Sequence, residues 1–252
     1  MWNHPDLIGN MWTNEAEEVG STEDKDGNGY KGDRYGYNFV KNTGIISWTS
    51  AEDTGHGTHV AGTIAAVNNN NEGVGGIAGG DGTENSGVKI MTCQLFDGTY
   101  GCTLAAEAKA IKYAADNGAV ILQCSWGYNS PDANEALGYT PGPKDEQDWV
   151  NQYPLEKEAL DYFIHNAGSP NGVIDGGLAI FASGNEYAPS SSFPAAIRNV
   201  FLSAPLLPTI LRLAIPTMVK RLLFVHQAVT AITTARQEYP TTSLPGKGKR
   251  KV

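Results

Sequence analysis

Two histidines three residues apart, His56 and His59 in DTGHGTHVAG (53–62), are the side chains best placed in this sequence for acid–base chemistry. A tight glycine turn precedes them and the small-residue run TIAA follows, so the spacing predicts a helix with both histidines on one face. Such a pair can bind a metal ion, but the glutamate of an H-E-x-x-H motif and a third ligand are missing. Acid–base work by one histidine, with the other packed behind it, is the stronger reading. Asp53 stands only three residues ahead of His56. That position suits a loop or helix-cap residue better than a carboxylate that orients an imidazole.

The elements around this segment alternate. GVKIMTCQLF (87–96) reads as a buried strand and LAAEAKAIKYAADNGA (104–119) as a helix, apolar at Leu104, Ala108, Ile111 and Ala115 and stopped at Asn117-Gly118. VILQCSWG (120–127) predicts the next strand, LEKEALDYFIHNAG (155–168) the next helix, and LAIFASGN (178–185) a further strand. Strand, helix, strand, helix, strand at this spacing predicts an α/β domain with parallel strands, whose functional groups gather where strands end. The Pro/Asp/Glu-rich stretch between Ser130 and Pro154 reads as an exposed loop, with Trp149 packed onto the domain surface. DKDGNGYKGD (24–33) alternates Asp24, Asp26 and Asn28 as an EF-hand loop does, but Tyr35 stands where the twelfth-position glutamate belongs. A solvated Gly/Asp turn is the first reading there, and calcium the alternative.

Composition narrows the class. The chain of 252 residues carries a net charge of −9, which argues against a nucleic acid partner. Cys93, Cys102 and Cys124 follow no C-x-x-C spacing and read as free or buried thiols. No apolar run reaches membrane-spanning length, and the opening MWNHPDLIGN has neither the basic nor the apolar region of a signal peptide. The charge is unevenly spread. Residues 1–197 hold nine Lys and Arg against 26 Asp and Glu, a net of −17, and 28 of the 30 glycines. Residues 198–252 hold nine Lys and Arg against Glu238 alone, a net of +8.

The motifs together resemble one family. GHGTHVAGTIAA is similar to the histidine box of the subtilisin-like serine peptidases, the subtilases. NHPDL (3–7) resembles the segment after that family's aspartate box, and GDRYGYNF (32–39) its following loop. AIKYAADNGAVILQCSWG (110–127) resembles the helix and strand that lead to the substrate cleft. FASGNEYAPSSSFPAAIRNV (181–200) resembles the oxyanion-asparagine strand and the proline-containing segment beyond it. The resemblance implies a three-layer, subtilisin-like α/β fold with a mainly parallel sheet, incomplete here, over residues 1–197.

It also implies roles. His56 corresponds to the general base that takes a proton from the serine nucleophile, and Asn185 to the side-chain donor of the oxyanion hole. Ser125, Trp126 and Gly127 correspond to the strand lining the pocket for a substrate side chain. Gly98, Thr99, Tyr100 and Gly101 correspond to the edge segment that pairs with extended substrate backbone. The implied partner is a peptide or protein substrate in extended conformation. No cofactor is required for that chemistry, although subtilases often bind structural calcium, and the family is usually secreted or bound to the cell envelope.

Two boxes of the family have no counterpart. The aspartate box lies about seven residues before the HPDL segment in the family, and His4 is the fourth residue here. The G-T-S-M-A-type serine box is absent from residues 1–252, and Ser243 in TTSLPGKGKR does not open the required small-residue helix. Residues 198–252 read either as a basic amphipathic helix, interrupted by Pro208 and Pro216, or as a segment in a shifted reading frame. The frame shift is the preferred reading, because it accounts together for the lost glycines, the reversed charge and the missing serine box. The expected function is that of a serine-type endopeptidase lineage whose present chain is inactive. The alternatives are a non-catalytic peptide-binding pseudo-protease and a decayed gene fragment.

Overall fold

The computed structural model describes residues 2–47, 55–98, 100–186 and 188–204. Helix α1 runs His56–Ala65, α2 Leu104–Asp116, α3 Glu146–Gln152 and α4 Pro154–Asn166. The strands are β1 Gly36–Asn38, β2 Thr92–Gln94, β3 Phe96–Asp97, β4 Tyr100–Gly101, β5 Ile121–Cys124, β6 Leu178–Ala182 and β7 Phe201–Ser203. Among the described residues, β1 pairs with β2 in parallel, β3 with β4 antiparallel, and β5–β6–β7 form a parallel three-stranded sheet. The architecture is α/β with mostly parallel strands, as the alternating sequence pattern requires. No described helix is long and apolar enough to cross a membrane.

Local signals set the two longest helices. Thr103 caps α2, its side chain accepting from the Ala106 N–H at 3.2 Å, and Gly118 at φ 83° ends the helix in the left-handed region. Pro154 opens α4, where the missing N–H costs no helix bond. The two helices pack on each other and bury Ile111, Tyr113, Leu160 and Phe163 against Leu122, Cys124, Ala179 and Phe181 of β5 and β6. Tyr37 and Cys93 from the β1–β2 pair join the same core. β1 and β2 approach closely at Gly36, where any Cβ would collide with the Thr92 backbone and the φ of 113° suits glycine alone.

A second, smaller cluster lies under α1. Leu7, Met11, Val60 and Ala61 are its buried members, with Trp2, Tyr35, Ile64 and Ile90 packed against them. Buried polar side chains complete this region. Asn10 Nδ2 donates to Ala65 O and Gly79 O, both at 2.8 Å, which closes the end of α1 onto the glycine-rich loop that follows. Asp6 accepts from Asn70 Nδ2 and Val74 N, each at 2.8 Å.

Four sequence expectations need correction. GVKIMTCQLF is not one strand: the chain breaks at Leu95, and Phe96–Asp97 turns back in a hairpin with β4. The stretch 130–154 is not an exposed loop throughout, because it contains a 3-10 turn at Glu135–Leu137 and the helix α3. Asp145 caps α3 by accepting from Asp148 N at 2.8 Å, and Trp149 is fully buried at 0% exposure rather than lying on the surface. His59 is exposed, so it is not packed behind His56. The thiols match expectation: Cys93 and Cys124 are buried, Cys102 is half-buried, and all three are free.

Candidate active site

The parallel register of β5 and β6 decides the geometry of the candidate site. Cys124 stands opposite Phe181, so the residues after each strand leave the sheet side by side. Ser125, Trp126 and Gly127 follow β5, and Ser183, Gly184 and Asn185 follow β6. Carboxyl ends of neighbouring parallel strands are where α/β proteins gather functional groups. Trp126 is half-buried and sets its ring edge-on to Phe181, centroids 5.1 Å apart. Gly127 is exposed and its Cα faces Phe193 O so closely that a Cβ would sit 3.0 Å from that oxygen. Gly184 takes φ 97° and Asn185 is exposed beyond it, with the buried Glu186 carboxylate folded back over Gly184. An exposed amide at a strand end can donate to an oxyanion without titrating.

Polar bonds tie the two strand extensions together. Tyr128 N donates to Phe193 O at 2.9 Å. Ser190 Oγ donates to Asp132 Oδ2 at 2.5 Å, and Ser130 Oγ lies 2.9 Å from Ser190 Oγ. Nothing in the sequence flags this Ser130–Ser190–Asp132 chain, since Ser190 lies sixty residues from Ser130 and each member looks like an ordinary loop residue.

His56 is positioned by different means. It is the first residue of α1, behind Gly55, whose φ of 69° supplies the sharp entry to the helix. His56 is half-buried and stands at the end of the helix that rests on the small Leu7–Met11–Val60–Ala61 cluster. Asp53 and Ser243 lie outside the described residues, as does Thr99. Of the remaining edge residues, Gly98 is a buried turn residue at φ 61°, and Tyr100 and Gly101 form β4. β4 bonds β3 on one side, and Tyr100 is 74% exposed on it. An exposed short strand of this kind can accept an extended peptide by strand addition.

The Asp/Gly loop gathers a set of hard oxygen donors. Glu17, Asp24 and Asp26 bring carboxylate oxygens within 4.8 Å of one another. Glu17 is buried, accepts from Gly32 N at 2.8 Å and also from Lys25 N. Asp24 accepts from the N–H groups of Gly27 and Gly29, each at 2.8 Å, and Asp26 accepts from Asn14 Nδ2 at 2.9 Å and Asn28 Nδ2 at 3.1 Å. Gly27, Gly29 and Gly32 all sit at positive φ, which lets the loop close around its own carboxylates. Carboxylate oxygens keep further lone pairs, and an all-oxygen donor set is the kind calcium takes. The glutamate missing from the twelfth position has its counterpart in Glu17, seven residues before the loop. Asp33 anchors the loop to α2. It is fully buried, accepts from Tyr113 Oη at 2.8 Å and from the Asn14 and Asn28 amides, and burial pushes its carboxyl above the usual range.

The Subtilase family model matches residues 1–203. Thermitase from Thermoactinomyces vulgaris is 34% identical over 202 residues, which cover 80% of this chain and 50% of thermitase. Subtilisin-like protease 1 from Plasmodium berghei (strain Anka) is 36% identical over 129 residues, 51% of this chain and 20% of that protein. The solved structure of sphericase is similar at a TM-score of 0.49 and 22% identity, covering 81% of this chain and 50% of that one. The chain thus spans half the length of thermitase and less of the Plasmodium protein.

Proposed function

Because the chain belongs to the subtilase family, we propose that the wall formed beyond β5 and β6 is a cleft for extended peptide segments, inherited from a serine endopeptidase. The observation that carries this reading is the parallel register of the two strands, from whose neighbouring ends Ser125–Gly127 and Asn185 project. In the proposed roles, His56 is the general base and Asn185 the oxyanion donor. Ser125, Trp126 and Gly127 receive a substrate side chain, and Gly98 to Gly101 pair with its backbone. Peptide hydrolysis by acyl transfer needs a nucleophilic serine beside the base and an aspartate behind it. Residues 1–252 contain no serine box of the family's kind, and Asp53 precedes His56 too closely for the family's aspartate. In our reading this chain by itself therefore performs little or no proteolysis, with at most the residual catalysis that an oxyanion donor sustains without a full triad.

Calcium in the Glu17–Asp24–Asp26 loop, with Asn28, belongs to the same proposal as a structural ion. It would neutralise three crowded carboxylates and take no part in the chemistry. For the basic segment 198–252 we propose a shifted reading frame that begins after residue 203, since residues 198–203 still match the family model and Phe201–Ser203 pairs in the sheet as β7. In support, the family match ends at residue 203, close to where the charge reverses. A G-T-S-type box in another downstream frame of the locus is the expected finding, and its absence would sink that part.

A fluorophosphonate probe on the purified chain tests the activity. No stoichiometric labelling is expected, and labelling abolished by His56→Ala would overturn the inactive reading. Saturable binding of a blocked extended peptide would support the retained cleft, and its absence would refute it.

A further inference from the structure

Beside the cleft wall lies a buried pair of acids that the proposed chemistry does not use. Glu156, in the first turn of α4, is 0% exposed, and Glu107, in the first turn of α2, is half-buried. The Oε1 atoms of both are buried and take no donor from any other described group, while the two carboxyls hydrogen-bond each other. Two carboxylates cannot bond each other; one must carry a proton and donate it. Glu156 has donors besides its partner. Its Oε2 already takes the Trp149 Nε1–H from α3 at 2.8 Å, and the Tyr128 hydroxyl, just beyond the cleft residues 125–127, also hydrogen-bonds it. Tyr128 in turn stacks on Tyr153 between α3 and α4, centroids 3.9 Å apart.

The surroundings favour retention of the proton. Burial first, and then the adjacent Glu156, push Glu107 up to about 9. Burial raises Glu156 as well, against hydrogen bonds from Trp149, Tyr128 and Glu107 that lower it. The other titratable groups around the pair are the Cys102 thiol before α2, the Cys124 thiol of β5, and the Tyr128 and Tyr153 hydroxyls. All of these are neutral near pH 7, and no basic side chain acts on either carboxyl among the described residues. A second negative charge here would meet only repulsion.

We propose that Glu107 and Glu156 share one proton, and that this O–H···O bond, by tying α2 to α4, holds the segment 125–128 in place through Tyr128. Glu107 and Glu156 are positioning residues on this view. They reach the cleft through Tyr128, and Glu107 stands six residues after the exposed edge residue Gly101. Loss of the proton leaves two like charges in contact, drives the first turns of α2 and α4 apart, and releases Tyr128. The linkage has the sign of a raised carboxyl. The folded pair holds a proton that unfolded glutamates release near the ordinary range, so stability falls as pH rises from there towards about 9 and is independent of this proton above it.

The role rests on the peptide-cleft reading only in naming what the strand is for, and the experiment separates the two. Hydrogen exchange of the full chain reports the strand itself. In wild type, protection of amides 125–128, corrected for intrinsic rates, is expected to fall at least about tenfold between pH 7 and pH 10, a factor equal to one unit of proton affinity. In Glu107→Gln, whose amide can donate to Glu156 at every pH, that protection is expected to persist. An equal fall in both proteins, or none in wild type, overturns the proposal. Should Glu107→Gln not fold, wild type alone decides. An infrared band of a protonated carboxylic acid, titrating above pH 7, supports the shared proton, and a midpoint in the ordinary carboxyl range refutes it. Titration with a blocked hexa-alanine peptide at pH 7 addresses the other reading: no binding, with protection and the acid band intact, overturns the peptide cleft alone.

Discussion

The two walls that the proposed chemistry needs are built on unequal foundations. The wall bearing Asn185 and Ser125–Gly127 grows from a parallel sheet, covered by α2 and α4, whose core includes Ile111, Leu160, Phe163 and Phe181. The wall bearing His56 is the first turn of α1, resting on four buried apolar residues and tied down by buried polar side chains such as Asn10 and Asp6. Apolar burial scales with area, so the first wall is held by many interactions and the second by few. The difference predicts that the two regions loosen separately, the α1 side before the β5–β6 side.

The sharpest way to break this contrast is to hollow out each core in turn. Phe163→Ala, at a position with 0% exposure, should cost about 3–5 kcal/mol in urea unfolding and destabilise the whole domain. Leu7→Ala should cost about 2 kcal/mol, and hydrogen exchange should rise in α1 while α2 and α4 stay protected. If Leu7→Ala loosens α4 equally, the two regions are one cooperative unit and the contrast fails.

Calcium should act on the loop that Asp33 and Tyr113 tie to α2. At a free concentration one hundred times its dissociation constant, calcium should raise stability by about 2.7 kcal/mol, read as a melting shift reversed by chelator. Asp26→Asn should remove most of that shift. A melting curve indifferent to calcium would leave the loop as a self-satisfied Gly/Asp turn.

Ser190→Ala probes the polar seam of the cleft wall. It removes the donor to Asp132 and the partner of the buried Ser130 hydroxyl, which keeps only the Asp132 N–H at 3.1 Å, at a cost of about 1–3 kcal/mol. Peptide affinity should fall along with stability, and if stability alone falls the seam does not shape the cleft. The smallest effect is expected at Lys112→Ala, which breaks an exposed i,i+4 pair with Asp116 worth about 0.2–0.5 kcal/mol. A larger loss would mean that the bond from Lys112 Nζ to Tyr162 Oη at 3.3 Å, between α2 and α4, matters more than the ion pair.

How well the sequence foretold each element followed how local its cause is. α2 was legible because its apolar spacing and the stop at Asn117-Gly118 lie within the helix and its end; the cap at Thr103 is a finding of the structure. β5, β6 and α4 were legible for the same reason. α3 was missed because its seven residues sit in a Pro/Asp/Glu-rich stretch and its purpose, burying Trp149 against Glu156, lies in another helix. The strand read across 87–96 was cut at Leu95 because the pairing of Phe96 and Asp97 with β4 overrides their apolar continuity with β2. His59 shares a helix with His56 at the right spacing, yet it faces solvent. Periodicity says which residues share a face, not what lies opposite.

The sequence by itself determined the family, through motifs whose order and spacing survive without coordinates, and with it the candidate base His56 and the candidate donor Asn185. It also determined where the helices of the core begin and end, since caps, glycines and apolar periods act over a few residues. Only the tertiary structure brought Glu17 to the calcium-like loop, linked Ser190 to Ser130 and Asp132, and set Glu107 against Glu156. Those groups lie between seven and sixty residues apart along the chain. What they do depends on burial and on which charges and dipoles face each other, and neither exists until the elements pack.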